Sequence, residues 1–475
     1  MGEPLWSFEE ISAATRAPLP GSGIAGGVSI DSRTLGPGDL FVAIKGERAN
    51  GHEYVEAAFA KGAPAAIVEA GYGLSGGGAL FRVKDTLEAL NALARAARAR
   101  SGARIAAVTG SAGKTGTKEM LRAMLGRSAP THVSEKSYNN LWGVPLSLAR
   151  MPKAARFGVF EIGMNHAGEI APLARLVRPH IAIITCVAPV HLEFFASVAE
   201  IADAKAEIFE GFEQGGIAIL PAGNEHFGRL AARAREKGAG IIPFGETAGA
   251  AARLTSFEAA DSSSKAEAEI LGSKVRFVLG VPGRHLALNA VAALAAVKLM
   301  GADIDAAAAA LASFEAPEGR GQRIRFETPQ GGVLIIDETY NANPASMRAA
   351  LGVLGTIPRA RYARRIAVLG DMLELGEAGP QFHAELAGAI ESSDVDLVFC
   401  AGPSMACLYE RLPAQKRGAA APSSQALLPA VIEAVRGGDA VTIKGSLGSR
   451  MGILADALRQ HLAGTPAGKD GENAA

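Results

Sequence analysis

Residues 104–120, RIAAVTGSAGKTGTKEM, constrain this chain more than any other stretch. The apolar run 105–108 reads as a buried strand, breaks at Thr109 and Gly110, and gives way to a helical pattern from Lys114 onward. Gly110, Gly113 and Gly116 are expected to let the backbone approach a ligand closely and take angles that a Cβ forbids. Such a turn aims N–H groups and the positive end of a helix at one point, which makes an anion site suited to phosphate. A helix end carries only about half a positive charge. A nucleoside triphosphate carries about four negative ones, so Lys114 is needed for one charge and Thr115 for a hydroxyl that a magnesium ion can take. The phosphate-contacting set is therefore Gly110, Ser111, Ala112, Gly113, Lys114, Thr115 and Gly116. Val108 stands where the longer phosphate-loop pattern has its first glycine, and the plainer alternative is a glycine-rich turn that happens to hold a lysine.

A chain of 475 residues is long enough for two to four domains. Lys+Arg and Asp+Glu both number 48, which removes any electrostatic case for nucleic acid or a membrane surface. Cys186, Cys400 and Cys407 form no disulfide or metal framework and fit a reducing compartment. The opening MGEPLWSFEE has no basic n-region or apolar h-region, and no apolar run is long enough to span a bilayer. A soluble cytoplasmic protein is expected, with a flexible tail at 466–475.

The first unit, 1–100, pairs strand-like runs at 28–30, 40–44 and 65–68 with a helix at 53–61. Two polar loops follow its strands: Asp31, Ser32 and Arg33, then Lys45, Gly46 and Glu47 through Asn50, Gly51 and His52. They read either as a binding edge or as ordinary polar turns. The second unit, 101–315, reads as a doubly wound α/β domain with strands at 104–108, 157–162, 181–187 and 217–220. Ligands of such sheets gather at the carboxyl ends of the strands. There the sequence puts the phosphate loop, then Glu161 with Asn165 and His166, then His191 with Glu193. A carboxylate and an imidazole facing a phosphate loop are candidate ligands of a hard cation; a turn carboxylate and a satisfied histidine are the plainer readings. Lys205 reads as a solvated helical lysine, and Asn289 as one polar residue early in the Ala-rich helix 286–300. The turn-rich segment 317–321 marks a second linker. Beyond it, 316–465 repeats an α/β pattern with strands at 333–336, 366–369, 396–400 and 440–443. Its strand ends carry Asp337, Asn341, Asn343, Asp371 and Lys444, and it has no phosphate loop of its own.

Together these motifs resemble the Mur ligases, ATP-dependent amino-acid and peptide ligases of cell-wall precursor synthesis. VTGSAGKTGTKEM looks like their phosphate loop, EIGMNHAGEI their metal carboxylate segment, and VAPVHLEFFASVAEIADAKAEIF their histidine and lysine segment. PGRHLALNA looks like the adenine-contacting helix start, with Leu286 where the family has Asn. IIDETYNANPASM and VLGDMLELGE look like the strand ends of the third domain. The wording TYNANPASM, GDMLELGE and NNLWGVPLSL is similar to the member that adds D-alanyl-D-alanine to UDP-N-acetylmuramoyl-tripeptide, and no Asp-Asn-Pro-Arg motif of the diaminopimelate-adding member is present.

The resemblance implies three α/β domains: an N-terminal UDP-substrate domain, a central doubly wound ATPase domain and a C-terminal Rossmann-like domain. ATP would phosphorylate the peptide carboxylate, and the dipeptide amine would displace phosphate from the acyl phosphate. By the same resemblance Lys114, Glu161, His191 and Lys205 are catalytic; Thr115, Glu161 and His191 serve two magnesium ions; and Lys205 is carbamylated. Asn289, Arg320 and Asp337 contact adenine, phosphate and ribose. Asp31, Ser32, Arg33, Lys45, Gly46, Glu47, Asn50, Gly51 and His52 hold the UDP substrate, and Asn341, Asn343, Asp371 and Lys444 shape the dipeptide site. A monomer is expected. The rivals are a sister ligase adding one amino acid, a folylpolyglutamate synthetase-like ligase, which lacks the first domain, and an ATPase switch.

Overall fold

The structure, a computed structural model, describes residues 4–46, 49–73, 78–135 and 137–464. Its largest sheet has nine strands, in the order Ser273–Leu279, Ser264–Ile270, Ala252–Ala259, Gly240–Gly245, Ile217–Pro221, Ile181–Ile184, Arg104–Thr109, Phe157–Glu161 and Thr131–Val133. All neighbours from Ala252–Ala259 to Thr131–Val133 run parallel, and only the last two strands on the other edge are antiparallel. The apolar run 105–108 shows why both faces are covered. Ile105 and Ala107 pack on one side with the helices Gly143–Ala149, Ile170–Val177 and Val198–Ala206. Ala106 and Val108 pack on the other with Lys114–Leu125 and Arg284–Leu299. A strand buried on both faces reads as continuously apolar, as this one does.

The first unit carries a four-stranded parallel sheet, Gly27–Ser29, Asp39–Val42, Ala65–Glu69 and Ala79–Val83. The helix expected at 53–61 is a 3₁₀ turn, Gly51–Tyr54, running into a short helix, Val55–Ala60. Asp85 caps the helix Thr86–Ala99 by accepting from the Leu87 and Glu88 N–H groups. Near its far end Arg98 binds across to the central unit: Nε donates to the Val177 carbonyl at 2.8 Å, and Nη2 to the Arg178 carbonyl at 2.9 Å and to Glu213 at 3.0 Å.

The third sheet has six strands, in the order Gln322–Thr328, Gly331–Glu338, Asp439–Lys444, Arg364–Gly370, Leu397–Ala401 and Arg417–Ala421, parallel apart from the first. Strand alternation sends Leu334 and Ile336 to one core and Val333 and Ile335 to the other. Among the described residues no helix is long and apolar enough to cross a membrane.

Candidate active site

The phosphate loop runs from the strand Arg104–Thr109 into the helix Lys114–Leu125. Gly110 has φ +148° and Gly113 φ +81°, angles that favour glycine. Space demands glycine as well, since a Cβ at Gly110 would lie 1.9 Å from Thr185 Oγ1 and one at Gly113 2.5 Å from Asn289 Nδ2. Gly116 differs from the expectation. It is helical, and a Cβ there would meet nothing nearer than Leu286 Cδ2 at 4.0 Å. Ser111 lines the cavity with its N–H and hydroxyl already engaged within the protein. Its N–H donates to the Cys186 carbonyl at 2.9 Å, and its hydroxyl donates to the Ala188 carbonyl and accepts from the Ala188 N–H. It fastens the loop to the next strand end, while no side chain caps the helix N-terminus at Gly113. Thr185 braces the loop similarly through the Ala112 carbonyl.

Lys114 folds back so that Nζ donates to the Gly110 carbonyl at 2.7 Å. Burial lowers its proton affinity, with Glu161 opposing that shift and Arg320 adding to it. Thr115 Oγ1 donates to Glu161 Oε2 at 2.8 Å, and Asn139 Nδ2 to Glu161 Oε1 at 2.7 Å. Glu161 is buried at the end of its strand. Lys205 is buried on the helix Val198–Ala206, so the expected solvated lysine is absent. Burial first, then the nearby Lys114 charge, pushes Lys205 down to about 7.

A cavity of about 800 Å³ opens between the central and C-terminal units, lined by the loop from Ser111 to Lys114 and by Gly116, Glu161, His191, Asn289 and Arg320. Arg320 stacks on the Tyr340 ring with its carbon 3.8 Å from the centroid, and its Nη2 donates to Ser137 Oγ at 3.0 Å. Asn341, Asn343 and Lys444 line the same cavity. Asn343 also caps the helix Pro344–Gly355, and Lys444 Nζ donates to the Asn341 carbonyl at 2.8 Å and pairs with Glu338 at 3.2 Å.

Asp337 and Asp371 lie outside this cavity's wall, and the first-unit residues belong to a separate unit. Asp337 is absent from the cavity wall, which its neighbours Ile336 and Glu338 line instead. Its carboxylate is held by Arg459 and by the Thr339 N–H and hydroxyl. Asp371 is internal to the C-terminal unit, accepting from the Met405 N–H at 2.9 Å and the Ser404 N–H at 3.3 Å. In the first unit the Arg33 guanidinium grips Asp31 through two bonds of 2.7 and 2.9 Å, and the Ser32 carbonyl accepts from Lys61. Asn50 caps the following turn, and both His52 ring nitrogens are satisfied, by Asn50 Oδ1 and by the Glu69 N–H. Gly51 is demanded by space, because a Cβ would lie 2.6 Å from the Ile44 carbonyl. Lys45 is exposed, Gly46 packs against Trp142, and Glu47 lies outside the described residues.

Asn139 was not expected in the site, although it opens the stretch NNLWGVPLSL, because a polar residue in an irregular loop carries no periodic signal. Nor was Lys118, wholly buried, whose Nζ donates to the Ser134 carbonyl at 2.9 Å. Ser134 Oγ in turn accepts from the Glu161 N–H, so Lys118 anchors the segment behind that carboxylate.

The donor set can be tested against the groups a phosphate loop implies. Two glycines that a Cβ would fill, an uncapped helix start and two cations suit the polyphosphate of ATP. Among the described residues no three His, Cys, Asp or Glu side chains cluster as a metal cage. The hydroxyl of Thr115 beside the carboxylate of Glu161 is nonetheless the sparse oxygen set that Mg²⁺ uses when phosphates and water complete its shell.

This fold and site define a nucleotide-dependent ligase in which a phosphate-loop domain is faced by a second, loopless α/β domain. The chain belongs to the Mur ligase family. The model of the Mur ligase middle domain matches residues 108–297, that of the Mur ligase glutamate ligase domain 319–447, and that of the Mur ligase family catalytic domain 25–123. UDP-N-acetylmuramoyl-tripeptide–D-alanyl-D-alanine ligase of Rickettsia prowazekii is 31% identical over 95% of this chain and 99% of its own length. The Escherichia coli protein of the same name is 36% identical over 79% of this chain and 81% of its own. The crystal structure of MurF from Acinetobacter baumannii superposes with a TM-score of 0.84 at 30% identity, covering 96% of this chain and 99% of that one. MurF of Thermotoga maritima, solved with ADP, gives 0.76 at 27% identity, covering 92% and 98%.

Proposed function

We propose that this chain joins D-alanyl-D-alanine to UDP-N-acetylmuramoyl-tripeptide at the expense of ATP, giving the pentapeptide precursor of peptidoglycan with ADP and phosphate. The observation that carries the reading is the single cavity in which the Lys114 loop, Glu161 and Arg320 converge beside a second α/β unit. A carboxylate is a poor electrophile toward an amine at neutral pH. Transfer of the γ-phosphoryl group breaks its bond to the ADP oxygen and makes an acyl phosphate. The dipeptide's neutral amine then adds to that carbonyl carbon, phosphate departs, and the amide loses its extra proton to water. Phosphoryl transfer calls for positioning and charge neutralisation rather than a protein nucleophile, consistent with a site of cations and backbone N–H groups.

In this reading Lys114 and Arg320 neutralise the phosphates, Asn289 sits against the loop toward the base, and Thr115, Glu161 and His191 hold Mg²⁺. The metal, when bound, supplies the positive charge that the loop and lysine leave short. The neutral amine of Lys205, favoured by its displacement to about 7, adds CO₂ and loses a proton to give a carbamate. The polar loops of the first unit face the UDP substrate, and Asn341, Asn343 and Lys444 face the dipeptide. Domains at 1–100, 101–315 and 316–465 are supported by the separate four-, nine- and six-stranded sheets. A monomeric, cytoplasmic protein is part of the same proposal.

The test is phosphate release measured with UDP-tripeptides carrying lysine or diaminopimelate, each with and without D-alanyl-D-alanine. Release that requires both substrates is expected. Release from ATP alone at the same rate indicates a switch ATPase and overturns the reading.

A further inference from the structure

The loop that carries His191 meets the C-terminal unit at Glu374. His191 Nδ1 lies 2.5 Å from Glu374 Oε2, and the Glu193 N–H donates to the Glu374 carbonyl at 3.3 Å. Both residues hold left-handed backbone angles, φ +55° at His191 and φ +61° at Glu374, which non-glycine residues adopt at a cost and keep where surroundings force them. Gly376, at φ +57°, lies in the same turn beside Glu193.

The Glu374 loop is fixed from below. The Met372 N–H donates to Nε2 of the wholly buried His383, and the Leu373 N–H donates to Ser446 Oγ, each at 2.9 Å. The carboxylate is therefore delivered by a braced turn rather than by a wandering side chain. A carboxylate accepting from one ring nitrogen of a histidine fixes the tautomer and leaves the other nitrogen as a lone-pair donor.

We propose that Glu374 is a positioning residue for the metal site: by accepting the Nδ1 hydrogen of His191 it turns Nε2 toward the cavity as a ligand. This rests on the reading of the cavity as a Mg²⁺–nucleotide site. Its consequence is that the metal site is complete only when the C-terminal unit is docked, because the partner of the imidazole comes from that unit. The carboxylate serves by accepting a hydrogen bond, so an amide oxygen in its place retains most of the effect.

Mn²⁺ binding to the full chain in saturating ADP, followed by electron paramagnetic resonance of free Mn²⁺, tests the assignment. Glu374→Ala is expected to weaken Mn²⁺ binding about tenfold or more, the range seen when a ligand's carboxylate partner is removed. Glu374→Gln is expected to stay within about threefold of wild type. The radius of gyration from small-angle scattering should be unchanged in both. Weakened binding in His191→Ala with wild-type binding in Glu374→Ala overturns the proposal alone. Wild-type binding in His191→Ala removes His191 as a ligand, and the proposal with it. A loss in Glu374→Ala accompanied by a larger radius of gyration assigns Glu374 to docking and overturns the orienting role. No Mn²⁺ binding by wild type overturns the underlying site.

Discussion

Thr115 Oγ1 and Glu161 Oε2, 2.8 Å apart, join the first turn of the phosphate-loop helix to the end of the neighbouring strand. One hydroxyl thus fixes a carboxylate that Asn139 holds from its other oxygen. Thr115→Val keeps the shape and leaves Glu161 Oε2 without its donor, a loss of about 1–3 kcal/mol for a buried group. Phosphate release should fall roughly 100-fold and require more Mg²⁺ for half-saturation, while far-ultraviolet circular dichroism stays as in wild type. Mg²⁺ titration of initial rates checks this.

Gly113 and Gly116 should respond oppositely to the same substitution. Gly113→Ala places a side chain at φ +81° and 2.5 Å from Asn289 Nδ2, so ADP affinity should fall at least about tenfold. Gly116→Ala sits in a helix with room around it and gains helix propensity worth about 1 kcal/mol. Isothermal titration with ADP should find the second variant close to wild type, with an equal or higher melting temperature.

What could be read in advance follows from how local each signal is. The phosphate loop was legible because strand, turn, lysine and helix are contiguous, and the ends of parallel strands named Glu161 and His191. Asp337 illustrates the limit: it is one residue out of phase with the cavity-facing Ile336 and Glu338, and its partner Arg459 lies in the terminal helix Gly452–Ala463. Asp371, just past a strand end, and His52, in a 3₁₀ turn, both accept hydrogen bonds from nearby backbone N–H groups, which composition does not separate from binding. Glu374 was invisible as a partner of His191, because nothing short of the fold brings together residues 183 apart.

Lys114→Ala removes the cation that the loop encloses. ATP-dependent phosphate release should fall below detection, whereas affinity for the UDP precursor should remain within about threefold of wild type, by the proposal that its contacts lie on the first unit. Equal loss of both in a folded variant would contradict that division. Fluorescence titration with the precursor, beside the phosphate assay, separates the two.

His132 should give the protein an acid sensitivity unrelated to catalysis. Burial outweighs its hydrogen bond to the Ser147 carbonyl and lowers it from 6.5 to about 4. Between those values the unfolded chain binds a proton that the folded one does not, so stability present above pH 6.5 drains away as pH falls toward 4. The loss is about 2 kcal/mol by pH 5 and about 3 kcal/mol in all. His132→Gln keeps a donor for the carbonyl and does not titrate. Melting temperatures from pH 7 to 4.5 should fall less steeply in the variant by this amount.

Arg98 ties the first unit to the central one, and its removal separates binding of the two units from chemistry. Its guanidinium satisfies the Val177 and Arg178 carbonyls and shares Glu213 with Arg178, which stands 2.7 Å from the same carboxylate. Arg98→Met therefore leaves Glu213 paired but two carbonyls short of donors, a cost of about 2–3 kcal/mol. For units of this size each kcal/mol shifts the midpoint by about 2–4 °C, so a fall of roughly 4–12 °C is expected. Arg98→Lys should recover only part of it, because one ammonium cannot reproduce the planar fork that reaches two carbonyls and a carboxylate together. ADP affinity should not move, since none of these groups touches the phosphate loop. Calorimetry with ADP titration distinguishes this from general destabilisation, in which both would change.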